Sequence, residues 1–109
     1  MTLQNLIETT GLEVLTNLND KEVSGGYSGD LLSDVIANTN KNYVWITMQT
    51  HLNIVAVASL KELSAIIIVM NRKIEDEVLE KAKSENITIL RTDKTAFQIS
   101  GLIYGLGVT

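Results

Sequence analysis

The chain has 109 residues, of which 45% are hydrophobic and 20% are charged, and its formal net charge is −4 at pH 7. We expect one compact domain from this length and composition, and the acidic balance disfavours nucleic acid and anionic membranes, because neither would meet a basic patch. The chain has no cysteine and one histidine, which excludes disulfides, thiolate metal sites and multi-histidine metal sites, so we expect neither a metal nor a cofactor.

The N-terminal segment indicates a cytoplasmic protein. Residues 1–5 lack the basic start and the long apolar stretch of a signal peptide. The longest apolar stretches of the chain are also shorter than the roughly 20 residues that a membrane-spanning helix needs. We therefore expect a cytoplasmic protein without a membrane partner.

The first quarter of the chain predicts one helix and two short strands. Thr2 is expected to cap a helix that runs to about Thr9, and Gly11 is the stop signal. A first strand follows at residues 12–15. A short second strand is expected at residues 22–24, where a pair of glycines ends it.

The next helix is expected to begin after Asp30, which caps it, and to run to about Asn38. A polar turn over residues 38–42 follows it. Apolar residues at helical spacing are expected to form its buried face. They are Leu31, Leu32, Val35 and Ile36.

Two strands without polar alternation, residues 43–48 and 65–70, dominate the centre of the chain. Such strands are buried on both faces, as parallel strands covered by helices are. Between them, Asn53 is expected to cap a helix over residues 54–63. That helix is so rich in Ile, Val and Ala that we expect it to be buried nearly all round, in the core or against another subunit.

The last third of the chain predicts two further helices and one strand. An amphipathic helix is expected near residues 75–86, a strand at 88–90, and a C-terminal helix at 94–106 that Thr92 or Asp93 caps. Strands that alternate with helices at this spacing favour right-handed βαβ units. We therefore predict an α/β three-layer sandwich, with helices on both faces of a mostly parallel sheet of four to five strands.

Parallel sheets bind ligands beyond the carboxyl ends of their strands, where loops and helix N-termini converge. Backbone amides at these helix starts favour an anion or a carboxylate. The candidate ligand-binding residues at this edge are Thr47, Gln49, Thr50, His51, Asn53, Asn71, Thr92, Asp93 and Thr95. A glycine-rich turn is a further candidate, with the residues Ser24, Gly25, Gly26, Ser28 and Gly29.

Simpler interpretations of these candidates remain open. The glycine spacing matches neither a dinucleotide-binding motif nor a P-loop, and a tight turn explains it more readily. His51 is the only histidine, and structural hydrogen bonding or plain exposure explains it more readily than catalysis does. Trp45 lies in a buried strand and is expected to be a core residue.

From about Val14 to Leu106 the order of the segments resembles the DRTGG domain, a small α/β module found alone, between paired CBS domains and in the regulatory region of some phosphotransacetylases. A fainter likeness extends to the N-terminal, non-catalytic domain of bacterial HPr kinase/phosphorylase. The segments that carry the resemblance are Tyr43-Val44-Trp45-Ile46-Thr47, Asn53-Ile54-Val55-Ala56-Val57-Ala58, Ala65-Ile66-Ile67-Ile68-Val69 and Ile89-Leu90-Arg91-Thr92, with Thr95 beyond them.

The two signatures of that family are replaced here. Thr50-His51 stands where the family has its Asp-Arg pair, and Val69-Met70-Asn71 stands where it has Thr-Gly-Gly. The resemblance implies a non-catalytic regulatory or ligand-sensing module that forms a homodimer, with a small anionic or nucleotide-like ligand or a partner protein. The alternative is a small enzyme in which His51 acts as general acid or base near Thr50, Thr95 or Asp93.

Overall fold

The computed structural model describes all 109 residues, Met1–Thr109. Five helices and five strands follow one another along the chain. They are α1 (Leu3–Thr10), β1 (Glu13–Val14), β2 (Gly25–Ser28), α2 (Leu32–Asn38), β3 (Tyr43–Thr47), α3 (Asn53–Lys61), β4 (Ala65–Ile68), α4 (Asp76–Ser84), β5 (Ile89–Arg91) and α5 (Ala96–Gly105).

All five strands form one sheet in the order β1-β5-β4-β3-β2. The neighbouring pairs among β2, β3, β4 and β5 are parallel, and only β1 is antiparallel, to β5. The two apolar strands β3 and β4 each have a neighbour on both sides, and their side chains belong to buried clusters on both faces, which confirms the predicted burial. The direction of β2, which the sequence does not determine, is parallel to β3.

Helices cover both faces of the sheet. Successive side chains of a strand point to opposite faces, so Trp45, Ile66 and Ile68 pack in one buried cluster with residues of α2, α3 and α4. Ile46 and Ile67 belong to a second cluster with residues of α1 and α5. The predicted three-layer α/β sandwich is confirmed.

Two of the predicted helix caps differ from the structure at the carboxyl ends of β2 and β3. The Asp30 carboxylate does not cap α2, because it accepts hydrogen bonds from the Thr47 hydroxyl and the Met48 N–H instead. The helix begins at Leu32, and no side chain caps it. Asn53 is the first residue of α3 rather than its cap, and no side chain caps this helix.

The cap of α5 also differs from the prediction. Thr95 caps this helix in a reciprocal capping box with Gln98, and neither Thr92 nor Asp93 does so. The Thr92 hydroxyl accepts from the Lys94 N–H at 3.2 Å and closes a local turn. The capping box needs Glu or Gln three residues after the cap, and Gln98 supplies it only for Thr95. At the other end of the chain, the predicted cap Thr2 and stop Gly11 are confirmed.

The second strand lies later in the chain than predicted. Residues 25–28 form β2, whereas Glu22 only makes an isolated bridge with Thr2. This strand contains glycine because its neighbour approaches closely. A Cβ at Gly25 would lie 2.5 Å from the Tyr43 ring. Gly25 is thus a strand residue that makes room for a neighbouring ring, and the prediction of a glycine turn there is wrong.

Two predicted buried faces are more exposed than expected. On α2 only Val35 is buried, while Leu31, before the helix, is 62% exposed and Ile36 is also exposed. On α3 burial all round within the core of one chain is wrong, because Leu60 is 68% exposed and Ala56 is also exposed, whereas burial against another subunit stays a prediction. A small three-layer fold has no further layer to cover the outer side of α3.

Candidate functional site

The carboxyl ends of the four parallel strands lie along one edge of the sheet, which we call the carboxyl edge. It is formed by the loops that follow β2, β3, β4 and β5. The structure brings the nine candidate ligand residues to these loops or to the helix starts beside them. Ser28 and Gly29 also lie at this edge. Ser24 does not, because it precedes β2, and Gly25 and Gly26 lie within that strand.

Asp30 joins the loops after β2 and β3. Its carboxylate accepts from the Thr47 hydroxyl and the Met48 N–H, both at 2.8 Å. Gln49 donates from its side chain to the Asp30 carbonyl at 3.0 Å and from its backbone to the Thr47 hydroxyl at 3.1 Å. Thr47 and Gln49 therefore hold the edge together. Sequence reasoning treated Asp30 as the cap of α2 and left it off the candidate ligand residues, although its position directly after a parallel strand is the signal.

The indole of Trp45 holds the loop after β2 from the buried core. Trp45 is fully buried, as predicted, and its Nε1–H donates to the Gly29 carbonyl at 2.8 Å. A buried tryptophan usually finds such a partner for its polar atom. Gly29 is thus held by a hydrogen bond from the core, and its loop is anchored to β3.

The loops after β4 and β5 are tied to each other by two backbone hydrogen bonds. The Met70 N–H donates to the Lys94 carbonyl and the Asn71 N–H to the Thr92 carbonyl, both at 2.8 Å. Met70 and Asn71 are both in the left-handed region, with φ of 56° and 52°. These are the two positions at which the DRTGG family resemblance implies glycines. The turn keeps the backbone conformation for which glycine is best suited.

The amino end of α3 has free hydrogen-bond donors at this edge. No side chain caps the helix, and its first turn carries no acidic residue. The amides of Leu52 and Asn53 have no partner within the chain. By contrast, α5 is capped by Thr95, and α4 carries two acidic residues in its first turn. Free amides and the positive end of a helix dipole favour an anion.

The residues around this helix start are exposed and polar. His51 is exposed, and only its carbonyl is hydrogen-bonded, accepting from the Ile54 N–H at 3.1 Å. Arg72 and Lys73 are exposed in the loop of the neighbouring strand. Arg91 is committed elsewhere, to an ion pair with Glu13 at 3.0 Å. No three Asp, Glu, His or Cys side chains are grouped closely enough to hold a metal ion.

Three surface cavities are present, and two of them lie away from the carboxyl edge. The largest, of about 430 Å³, lies towards the amino ends of the strands and is lined by residues that include Lys41 and Glu62. The second, of about 220 Å³, lies between β2 and α5. The third, of about 360 Å³, lies between α3 and α4 and includes Leu52 and Asn53, so it meets the carboxyl edge at the start of α3.

Comparison with known proteins identifies the fold. No family model and no curated protein matches the sequence. Among solved structures, the chain is similar to the CBS and DRTGG domains of the regulatory region of Clostridium perfringens pyrophosphatase, in complex with the activator diadenosine tetraphosphate. The TM-score is 0.71 at 20% identity, over 94% of this chain and 45% of that one. The chain has a DRTGG-like fold.

This likeness bears on the whole sandwich and not on particular side chains. The chain spans less than half the length of that pyrophosphatase region. The family resemblance seen in the sequence is supported at the level of the fold.

None of the five helices combines the length and the apolar character that a membrane span requires.

Proposed function

We propose that this chain is a single regulatory domain without catalytic activity, which binds a phosphate-bearing, nucleotide-like ligand at the carboxyl edge and associates with a second copy of itself. The observation that carries the ligand proposal is the amino end of α3. It combines free backbone amides, an uncompensated helix dipole and the exposed side chain of His51.

The cavity between α3 and α4 supports a ligand that has an apolar ring beside its phosphates. It begins at Asn53, and Leu52, Val55 and Ala56 provide apolar lining. Binding sites commonly combine such an apolar wall with a few polar groups that fix the orientation. A nucleotide would place its phosphates on the α3 amides and its base in this cavity.

The threonines of the carboxyl edge support a role other than catalysis. The hydroxyls of Thr47, Thr92 and Thr95 each accept a backbone N–H and hold local structure. No carboxylate orients the His51 imidazole, whereas nucleophilic catalysis requires a base that a third group orients. The likeness to the regulatory region of a pyrophosphatase points in the same direction.

Asn53→Asp tests the ligand site by calorimetric titration with diadenosine tetraphosphate, ATP and inorganic phosphate. The new carboxylate lies in the first turn of α3, where it stabilises the helix by roughly 0.3–1 kcal/mol and repels phosphate. We expect nucleotide affinity to fall by about tenfold or more, because each tenfold corresponds to only ~1.4 kcal/mol.

Asn5→Asp is the matched control, because Asn5 is exposed in the first turn of α1. This helix starts beside Lys21 and Glu22, at the amino side of β2. The control is expected to leave nucleotide affinity unchanged. Equal affinities for the two variants would place the ligand elsewhere, and conversion of the nucleotide during the titration would favour the enzyme alternative.

Self-association is tested by sedimentation equilibrium of the unmodified chain between 1 and 100 µM, a range that spans roughly the affinities of weak and moderate dimers. We expect a mass near twice the 12.0 kDa of one chain. A mass near 12.0 kDa over the whole range would contradict this part of the proposal.

A further inference from the structure

The outer face of α5 is apolar and exposed. Phe97 is 89% exposed and Tyr104 is 68% exposed. Leu102 and Leu106 are exposed too, on the other flank of the helix, and no residue of α5 carries a charge. The solvent face of a surface helix ordinarily carries charged and polar residues. The exposed rings of Phe97 and Tyr104, with no charged neighbour on the helix, therefore point to an interaction surface.

A groove of about 220 Å³ lies beside this helix, against the edge strand β2. Its walls include Ile46, Ile103, Tyr104 and Val108. Gly26 also lines it and adds no side chain that would fill the space. A dry protein cavity of about 150 Å³ is known to hold a benzene molecule. The groove is therefore large enough for one phenyl ring.

The exposed ring and the groove are spaced so that two copies of the chain fit each other. Phe97 and Tyr104 are seven residues apart, which places them on nearly the same side of the helix and about 10 Å apart along its axis. Two α5 helices can pack antiparallel about a two-fold axis at the level midway between Phe97 and Tyr104. This axis passes near Gly101. Each Phe97 then lies at the level of the partner's Tyr104 and of the groove beside it.

Gly101 is suited to the position at this axis. A Cβ added there would meet no atom within 4 Å, and its φ is outside the left-handed region. Neither space nor conformation within the chain therefore requires glycine, although glycine destabilises a helix relative to alanine. Close approach of a second helix backbone is what a glycine at this position permits.

We propose that α5 is the dimer interface, in which two copies pack antiparallel and each inserts its Phe97 ring into the partner's groove beside Tyr104. This inference rests on the proposed self-association and names its surface. The two exposed rings provide about 300 Å² per chain, taking ~200 Å² for each whole ring. A stable interface buries about 800 Å² per partner, so the rings supply its apolar centre, which is less than half of that area.

Phe97→Ala tests the interface, with Leu60→Ala as the matched control. Both residues are large, apolar and exposed on the outer side of a helix, but Leu60 lies on α3 in the opposite layer. Sedimentation equilibrium is measured for both variants and the unmodified chain. We expect Phe97→Ala to raise the dimer dissociation constant by about 30-fold or more, as loss of a buried anchor residue does. Leu60→Ala is expected to leave it unchanged.

A cysteine at the axis gives an independent readout, because the chain contains none of its own. A disulfide needs Cα atoms about 4.4–6.8 Å apart. Gly101→Cys is expected to form a covalent dimer under mild oxidation, whereas Ala56→Cys on α3 stays monomeric under denaturing conditions.

The outcomes separate the two proposals. If the unmodified chain is dimeric and the Phe97→Ala dimer dissociates no more readily, the α5 interface is overturned while self-association stands. If Leu60→Ala weakens the dimer instead, the interface lies on α3. If the unmodified chain is monomeric throughout, self-association and the α5 interface both fail.

Discussion

The left-handed turn after β4 predicts an unusual response to glycine substitution. Met70 has a φ of 56°, a conformation that brings the Cβ of an L-residue close to the following carbonyl oxygen. Met48 is a matched reference. It lies at the same carboxyl edge, its backbone is outside the left-handed region, and the two side chains are similarly exposed, at 44% for Met70 and 39% for Met48.

The expected magnitudes follow from three terms. Replacing either methionine by glycine removes a half-buried side chain, which costs about 1 kcal/mol. It also increases the entropy of the unfolded chain, at a cost of about 0.5–1 kcal/mol. Only at Met70 does glycine also relieve the left-handed strain, which stabilises by about 1–2 kcal/mol. We therefore expect Met70→Gly to be nearly neutral and Met48→Gly to lose about 2 kcal/mol.

Urea denaturation of the two variants at one protein concentration measures the difference. The concentration is fixed because dissociation of a dimer would be coupled to unfolding. With a slope of about 1–3 kcal/mol per molar urea, a difference of ~1.5 kcal/mol separates the midpoints by roughly 0.5–1.5 M. Equal losses for both variants would refute the argument that the turn at Met70 is strained.

Three other outcomes are expected. Ile67→Ala should lose about 2–5 kcal/mol in urea denaturation, because Ile67 is fully buried in the central strand β4; a loss under ~1 kcal/mol would contradict its central place. Ser100→Ala should gain about 1 kcal/mol in the same assay, because the Ser100 hydroxyl is buried without a hydrogen-bond partner; destabilisation would show that it has one. Diadenosine tetraphosphate should tighten the dimer in sedimentation runs and bind the Phe97→Ala variant more weakly, because coupling is reciprocal; equal nucleotide affinity for variant and unmodified chain would rule out coupling.

Much of the fold was predictable because the buried strands have a clear pattern. Residues 43–47 and 65–68 lie between helices on both faces, so no polar alternation interrupts them. The helix periodicity placed α4 within one or two residues at each end. The strand β2 was misplaced because glycine has low strand propensity, and the approach of Tyr43 to Gly25 is a contact between distant residues that local pattern does not contain.

The candidate site was predictable in place and less so in detail. The rule for parallel sheets located the carboxyl edge, and the structure brings the nine predicted ligand residues there. The pattern did not predict the partners of polar side chains. Asp30 matches a helix cap equally well in sequence, but Thr47 and the Met48 amide compete for its carboxylate across the sheet edge. A choice between two partners depends on tertiary distances, which a local motif does not determine.

The two proposed surfaces are connected through the replaced family signature. The Val69 N–H donates to the Thr47 carbonyl in the strand that leads to α3, and the next amide, of Met70, donates to the Lys94 carbonyl just before α5. Phe97 lies two residues after the cap of that helix. These two hydrogen bonds join the strand that leads to α3 to the residue before the cap of α5. Because coupling between two binding events is reciprocal, the turn at Val69, Met70 and Asn71 is where a regulatory signal would pass between ligand and dimer.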